Sequence, residues 1–285
     1  MADGRRGRVG GAYLEDVDLT LAPDRWPFSL EKWYVDALMP DGAVLLLYLG
    51  RMQLTGLTMA RVSAWLLRPG HAPERGSAVA RRIHGRDDQL RFGAASIDGE
   101  LLTFRTNGLS GDLRFEASFP PVALGAPFWE RDGRQIRWTV EVPDARATGL
   151  LTWPGGSMSV DGRGYRDRVS FDVAPWRFPI AKLSWGRAAA GPHAATWATA
   201  ETQDGTVIHR WLDGAVVRSA PWPVKLSESR SLVDAPVLDF EGLRLGIVRP
   251  VLRRLGGDPW QQKWAARASI DGDEGVAIHE VVRWK

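Results

Sequence analysis

Asp-Gly and Asn-Gly pairs punctuate this chain at 41–42, 98–99, 107–108, 132–133, 204–205, 213–214 and 271–272. Such a pair readily adopts the positive backbone φ of a tight hairpin turn, and between two apolar or alternating runs it is the strongest short-range hairpin signal. The runs beside these pairs are strand-sized. Those at 31–37, 43–49, 58–67, 90–92, 95–97, 101–106, 113–119, 135–142 and 147–153 read as strands, as do 169–173, 182–187, 194–201, 206–212, 215–218, 227–233, 238–248, 262–270 and 276–284. Residues 13–22 read as one more short strand, 69–76 as a loop, and only 250–260 as helical or irregular. Many short strands separated by Gly-containing turns predict an all-β barrel or sandwich.

A partial repeat refines this. Trp33, Asp41-Gly42, Val44, Leu45, Tyr48 and Leu49 are echoed by Trp197, Asp204-Gly205, Val207, Ile208, Trp211 and Leu212. Two related antiparallel β-domains are the simplest account. The break is expected between Gly162 and Arg187, giving domains 1–174 and 175–285. Near it lies a crowded polar stretch, 159–168, in which Asp161-Gly162 reads as a turn and Gly162 and Gly164 as loosening the backbone before Tyr165-Arg166-Asp167-Arg168. Ligand pockets favour domain interfaces, so this stretch is the first place to look for a site.

Composition removes several classes. The 285 residues include no cysteine, which excludes disulfides, thiolate nucleophiles and zinc–thiolate sites. The basic, Gly-rich N-terminus is not followed by an apolar run, and 43–49 is the longest apolar run, far short of a membrane span. A cytoplasmic protein is the default expectation. Net charge is +3, with Arg far exceeding Lys in short pairs, and no recognition helix or finger spacing is visible. No nucleic-acid partner is expected; peripheral contact with an anionic membrane is kept as an alternative, and oligomeric state is left open. The 14 tryptophans are several times a normal share. They suit either barrel cores or a wide aromatic pocket that holds a large apolar ligand or stabilises a cation.

Catalytic motifs are mostly missing. There is no nucleophile elbow, phosphate loop or dinucleotide fingerprint, and the five histidines lack metal-ligand spacing, so neither metal nor cofactor is expected. Carboxylate and aromatic chemistry remains. If 165–168 is extended, Tyr165 and Asp167 share one face, and Arg166 and Arg168 take the other. An arginine beside Asp167 would keep it ionised; a dry aromatic cavity would raise its pKa and make it an acid. Asp36 and Glu31 near Trp33 are second-rank acids, and Glu130 beside Trp129 is third.

At these residues a resemblance emerges. Glu31-Lys32-Trp33-Tyr34-Val35-Asp36-Ala37, followed by Asp41-Gly42, resembles the opening motif of the carotenoid 1,2-hydratase (hydroxyneurosporene synthase) family and its lipocalin-like relatives. Arg137-Trp138-Thr139-Val140-Glu141-Val142-Pro143, Gly149-Leu150-Leu151, Gly162-Arg163-Gly164-Tyr165-Arg166-Asp167-Arg168 and Trp185-Gly186-Arg187-Ala188 resemble its later motifs, in order. The resemblance implies two calycin (lipocalin-like) β-domains with a ligand cavity inside or between them. It also implies activities that range from carotenoid hydration to Diels–Alderase-type pericyclic reactions. Arg166 and Arg168 stand where the family places histidines, and Val169-Ser170-Phe171 replaces its Asn-Trp-Gly, so hydration itself is not carried over. Pocket positions are carried over for Tyr165, Asp167, Trp33, Tyr34 and Trp185.

The expectation is a cofactor-independent hydratase or cyclase acting on a large apolar polyene or isoprenoid. Asp167 is its acid, Tyr165 orients it, and Trp33, Tyr34, Asp36, Arg166, Trp176 and Trp185 bind substrate. The alternatives are a pericyclase for a polyketide-derived substrate and a non-catalytic carrier of hydrophobic ligands. The direction in which Asp167 points discriminates enzyme from carrier.

Overall fold

The computed structural model describes residues 19–86, 88–122, 124, 126–218, 221, 224–237 and 258–284. In chain order the first strands are β1 (Phe28–Leu38), β2 (Val44–Leu54), β3 (Leu57–Leu67), β4 (Glu74–Val79), β5 (Ile83–Arg86), β6 (Gln89–Phe92) and β7 (Ala95–Asp98). There follow β8 (Leu101–Arg105), β9 (Ser110–Ala117), β10 (Trp129–Arg131), β11 (Arg134–Trp153) and β12 (Gly156–Phe171). After a short turn come β13 (Ile180–Ala190), β14 (His193–Thr202), β15 (Val207–Asp213), β16 (Val216–Arg218), β17 (Lys225–Pro236), β18 (Trp260–Ile270) and β19 (Asp273–Arg283).

Two antiparallel sheets result, so the expected all-β class is what forms. The first has 12 strands in the order β4-β3-β2-β1-β12-β11-β9-β8-β7-β6-β5, with β10 on β11; the second has 7, in the order β16-β15-β14-β13-β19-β18-β17. The chain passes from one to the other between Phe171 and Ile180. The Asp-Gly turns do their work: Gly42, Gly99, Gly133, Gly205, Gly214 and Gly272 all have positive φ.

Both faces of the first sheet's centre are buried. Trp33, Val35, Ala37, Leu45, Leu47 and Leu49 point into a core enclosed by the curl of that sheet. Their neighbours Tyr34, Leu38, Val44, Leu46 and Tyr48 point into a second core shared with Trp185, Ala198, Ala265 and Ile278 of the other sheet. That double burial explains why 43–49 is apolar at every position and not alternating.

Three expectations need correction. The loop expected over 69–76 ends early, at β4, and β4 and β5 were not anticipated. The runs 135–142 and 147–153 are one strand, β11. Pro143 cannot donate a ladder hydrogen bond, and register shifts at Val140/Val142 and Val142/Ala145 absorb it. Asp161-Gly162 is not a turn, because β12 runs straight through it. Its glycines serve close approach: a Cβ on Gly162 would meet the Leu38 carbonyl oxygen at 2.4 Å, and one on Gly164 the Phe115 ring at 2.5 Å. Of the strand expected at 13–22, residues 19–22 are irregular and the rest lies outside the described residues, as does the strand expected at 238–248.

Candidate functional site between the two sheets

β12 alternates as an extended strand must. Tyr165 and Asp167 face the second sheet, and Arg166 and Arg168 face the core of the first. Register places Asp167 beside Tyr34 on β1 and Val140 on β11, and Tyr34 beside Tyr48 on β2. Tyr48, Tyr34, Asp167 and Val140 therefore form one row across four strands. Opposite them stand Trp185 of β13, Lys263 of β18 and Glu280 of β19. A cavity of about 280 Å³ separates the sheets here, lined by Asp167, Tyr34, Tyr48, Trp138, Trp185 and Lys263 and closed by apolar side chains such as Phe128 and Ile136.

Asp167 is buried, and among the described residues no arginine or lysine makes salt-bridge contact with it. Its Oδ2 accepts hydrogen bonds from Trp138 Nε1 and from the Tyr165 hydroxyl, each at 2.9 Å. Burial pushes the carboxyl up to about 7; the two hydrogen bonds and the more distant Lys32 and Lys263 charges pull the other way and do not win. With Oδ2 occupied by two donors, the proton of the neutral form belongs on Oδ1. Burial and the Asp167 carboxylate raise the Tyr165 phenol well above its ordinary value, so Tyr165 holds its proton and acts as a donor.

An aromatic cluster backs this acid. The Tyr34 ring lies 5.2 Å from Trp185 at 84°, and Tyr165 lies 5.4 Å from Trp185 at 63°. The Lys263 ammonium sits 4.0 Å from the centre of the Tyr34 ring, 2.8 Å from Glu280 Oε2 and 3.1 Å from the Tyr48 hydroxyl. The site thus offers an apolar cavity with the Asp167 carboxyl, the Lys263–Glu280 ion pair, the Lys32 ammonium and several π faces. That set can protonate or hydrogen-bond a substrate and stabilise charge that develops on it.

The residues expected to bind substrate divide. Asp167, Tyr34 and Trp185 line the cavity, and Tyr165 stands directly behind Asp167. The others are not brought to it. Trp33 has odd parity on β1 and lies in the first sheet's core, where its indole N–H donates to Glu141 at 3.2 Å. Arg166 shares that core, 2.8 Å from Glu141. Asp36 has the right parity but is taken up in a buried ion pair with Arg187 of β13. Trp176 lies in the link between the sheets, 42% exposed. Of the lesser acid candidates, Glu31 pairs with Arg168 at 3.5 Å, and Glu130 is exposed.

Sequence reasoning passed over Trp138, Lys263 and Glu280. Alternation could not single out Lys263: its neighbours of the same parity are Gln261, Ala265 and Arg267, so in sequence it stands on a mixed, largely polar face. Trp138 shares parity with Val140 across from β12, but nothing local announces that its N–H reaches Asp167.

No family model and no curated protein matches the sequence. Solved structures do resemble the fold. A complex of CghA with Sch210972 superposes with a TM-score of 0.61 at 14% identity, covering 97% of this chain and 98% of that one. A candidate AttH protein from Nitrosomonas europaea gives 0.58 at 13%, covering 93% and 98%. Kievitone hydratase from Nectria haematococca gives 0.52 at 13%, covering 99% and 96%. At such identities the likeness establishes the fold: the chain is an all-β, lipocalin-like protein of two packed sheets, as the resemblance in its motifs implied.

Proposed function

We propose that this protein is a cofactor-independent enzyme that performs acid-assisted alkene chemistry, cyclisation or hydration, on a large apolar substrate held between the sheets. The observation that carries this is the placement of Asp167: a carboxyl that burial pushes up to about 7, at the wall of an apolar cavity and, among the described residues, with no arginine in salt-bridge contact. An acid with a pKa near the working pH is available both as donor and as conjugate base. Protonation of a polyene would leave a carbocation, and lining rings away from the Lys263 ammonium, Phe171, Phe178 and Trp284, would stabilise it. Water would complete a hydration; an internal alkene would complete a cyclisation, with loss of a proton to the Asp167 carboxylate. The hydratase among the similar structures supports this reading.

A second reading keeps the site and drops the proton transfer. The fold holds an organic ligand, Sch210972, in the CghA complex. In that case Asp167 and Lys263 would hydrogen-bond carbonyl oxygens of a polyketide-derived substrate while the cavity folds it for a pericyclic step.

One experiment separates the readings. A panel of apolar isoprenoid and polyketide polyenes is incubated in D2O with wild type, with Asp167→Asn and with Asp167→Ala. Deuterium bound to carbon in product, formed by wild type only, supports proton transfer. Asp167-dependent product without deuterium favours the pericyclic reading. Full turnover by Asp167→Asn removes proton transfer by Asp167, full turnover by Asp167→Ala removes Asp167 from either mechanism, and binding without turnover by wild type identifies a carrier.

A further inference from the structure

The cavity is not closed at both ends. It runs from the fully buried Tyr34, Asp167 and Lys263 to the half-buried Phe171, Phe178, Pro259 and Trp284, and so opens at the latter. An aromatic file marks this exit: Phe28 to Phe171 at 5.8 Å, Phe171 to Phe178 at 5.2 Å, and Phe178 to Trp284 at 5.1 Å.

Around this mouth the surface changes character. Among the described residues three tryptophans are exposed, Trp26 at 73%, Trp176 at 42% and Trp260 at 40%. Each lies within two residues of a side chain that lines the cavity, namely Phe28, Phe178 and Pro259. The described tryptophans elsewhere are buried or half-buried. The cost of exposing Trp is therefore confined to one rim. Register carries cations to the same place. Trp260, Arg283 and Lys182 are direct neighbours across β18, β19 and β13. Arg25 precedes Trp26, and Arg177 follows Trp176. All four of these basic residues are exposed. Of the acids nearby, Asp24 pairs with Arg51 at 2.8 Å, Asp172 with Arg25 at 3.2 Å, and Asp234 accepts the Trp260 indole N–H at 2.6 Å, while Glu201 stands exposed beside Lys182.

Indole rings with an apolar body and an N–H suit the headgroup layer of a bilayer, and lysine and arginine beside them suit lipid phosphate. We propose that the mouth of the cavity docks on an anionic phospholipid membrane, with Trp26, Trp176 and Trp260 seated at headgroup depth. An apolar substrate then passes from the bilayer along the Phe28–Phe171–Phe178–Trp284 file without crossing water. No helix among the described residues is long and apolar enough to cross a membrane.

The test is flotation with vesicles of phosphatidylcholine alone or mixed with phosphatidylglycerol, at about 0.1 M salt, where surface charges still act over about a nanometre. Wild type should float with the mixed vesicles. The triple variant Trp26→Ser, Trp176→Ser, Trp260→Ser should partition about tenfold less or weaker still. A control, Val216→Ser with Val217→Ser, removes exposed apolar side chains from β16 and should bind as wild type. Headgroup-depth spin-labelled lipid should quench wild-type tryptophan fluorescence, a readout that needs no variant. Asp167→Asn should float like wild type, so this surface can fail or stand independently of the acid. The proposal is overturned by absence of wild-type flotation, by equal flotation of the triple variant, or by a tryptophan-dependent dimer that leaves no vesicle-bound fraction.

Discussion

Asp167→Asn should make the protein more stable in mild alkali while abolishing proton transfer. The carboxyl moves from 3.8 to about 7 on folding. At 1.36 kcal/mol per pH unit this corresponds to about 4 kcal/mol. The sign follows from where the proton sits. Between these pH values the folded protein keeps a proton that the unfolded chain has released. Stability from this group therefore falls as pH rises through the window, and the loss is complete above about pH 7. Asparagine is neutral throughout, and its carbonyl oxygen can still accept from Trp138 and Tyr165. The variant should match wild type within about 1 kcal/mol near pH 4.5, gain steadily above it, and lead by a few kcal/mol at pH 8. Urea unfolding at several pH values, with the slope checked for constancy, measures this. Burial also raises Glu31, Glu141 and Asp144, but these bend both curves alike and cancel in the difference. A flat difference curve, or a variant less stable than wild type at pH 8, would show that Asp167 is ionised or solvated in the fold and would remove it as an acid.

Tyr165→Phe deletes a donor that favours the carboxylate, so the falling alkaline limb of a pH–rate profile should move up by about one unit; a shift downward would contradict the assigned bond. Arg187→Ala strands the buried Asp36 carboxylate and should cost about 3–5 kcal/mol, whereas Arg187→Met with Asp36→Leu should recover most of it, as a double-mutant cycle in urea would read. Gly186→Ala places a Cβ 2.1 Å from the Trp197 ring and should cost about 1–3 kcal/mol in a thermal melt. Gly50→Ala, where a Cβ has no neighbour within 4 Å, serves as the control and should change stability by less than about 1 kcal/mol.

Much of the fold could be read from turns. Wherever Asp-Gly or Asn-Gly fell between runs, hairpin geometry needed only local information. Asp161-Gly162 shows the limit, because there a glycine was required by the Leu38 backbone across the sheet, a contact no neighbouring residue reveals. Pro143 misled for a related reason: a proline that breaks a ladder and a proline absorbed by a bulge look the same in one strand. In the site, parity was legible and distance was not. Alternation placed Tyr165 and Asp167 together and apart from the arginines, and it applied equally to Trp33 and Tyr34. Family motifs, however, group adjacent residues, so Trp33 and Tyr34 were assigned to one pocket although adjacent strand residues must face opposite sides. Lys263 and Glu280 reach the cavity through packing of one sheet on the other, which no spacing along the chain encodes.

The same alternation explains how a carboxyl raised to about 7 survives in a sequence this rich in arginine. Arg166 and Arg168 flank Asp167 in the chain, and either guanidinium at contact distance would hold the carboxyl ionised. The sheet stands between them. On one side Arg166 is committed to Glu141 and Arg168 lies between Glu141 and Glu31. On the other, the described polar partners of Asp167 are the Trp138 N–H and Tyr165 O–H dipoles. A slip of β12 by one residue would exchange these environments, placing an arginine in the cavity and Asp167 against Glu141. Several features oppose the slip. Gly162 and Gly164 each lie against a surface that admits no side chain, Leu38 on β1 and Phe115 on β9. The Arg166–Glu141 pair joins β12 to β11 at the bulged segment, and Arg187, which pairs with Asp36 of β1, also donates to the Arg163 carbonyl at 3.1 Å. The glycines and buried ion pairs of this region thus set the phase of a strand, and the phase of that strand decides whether the protein holds an acid at all.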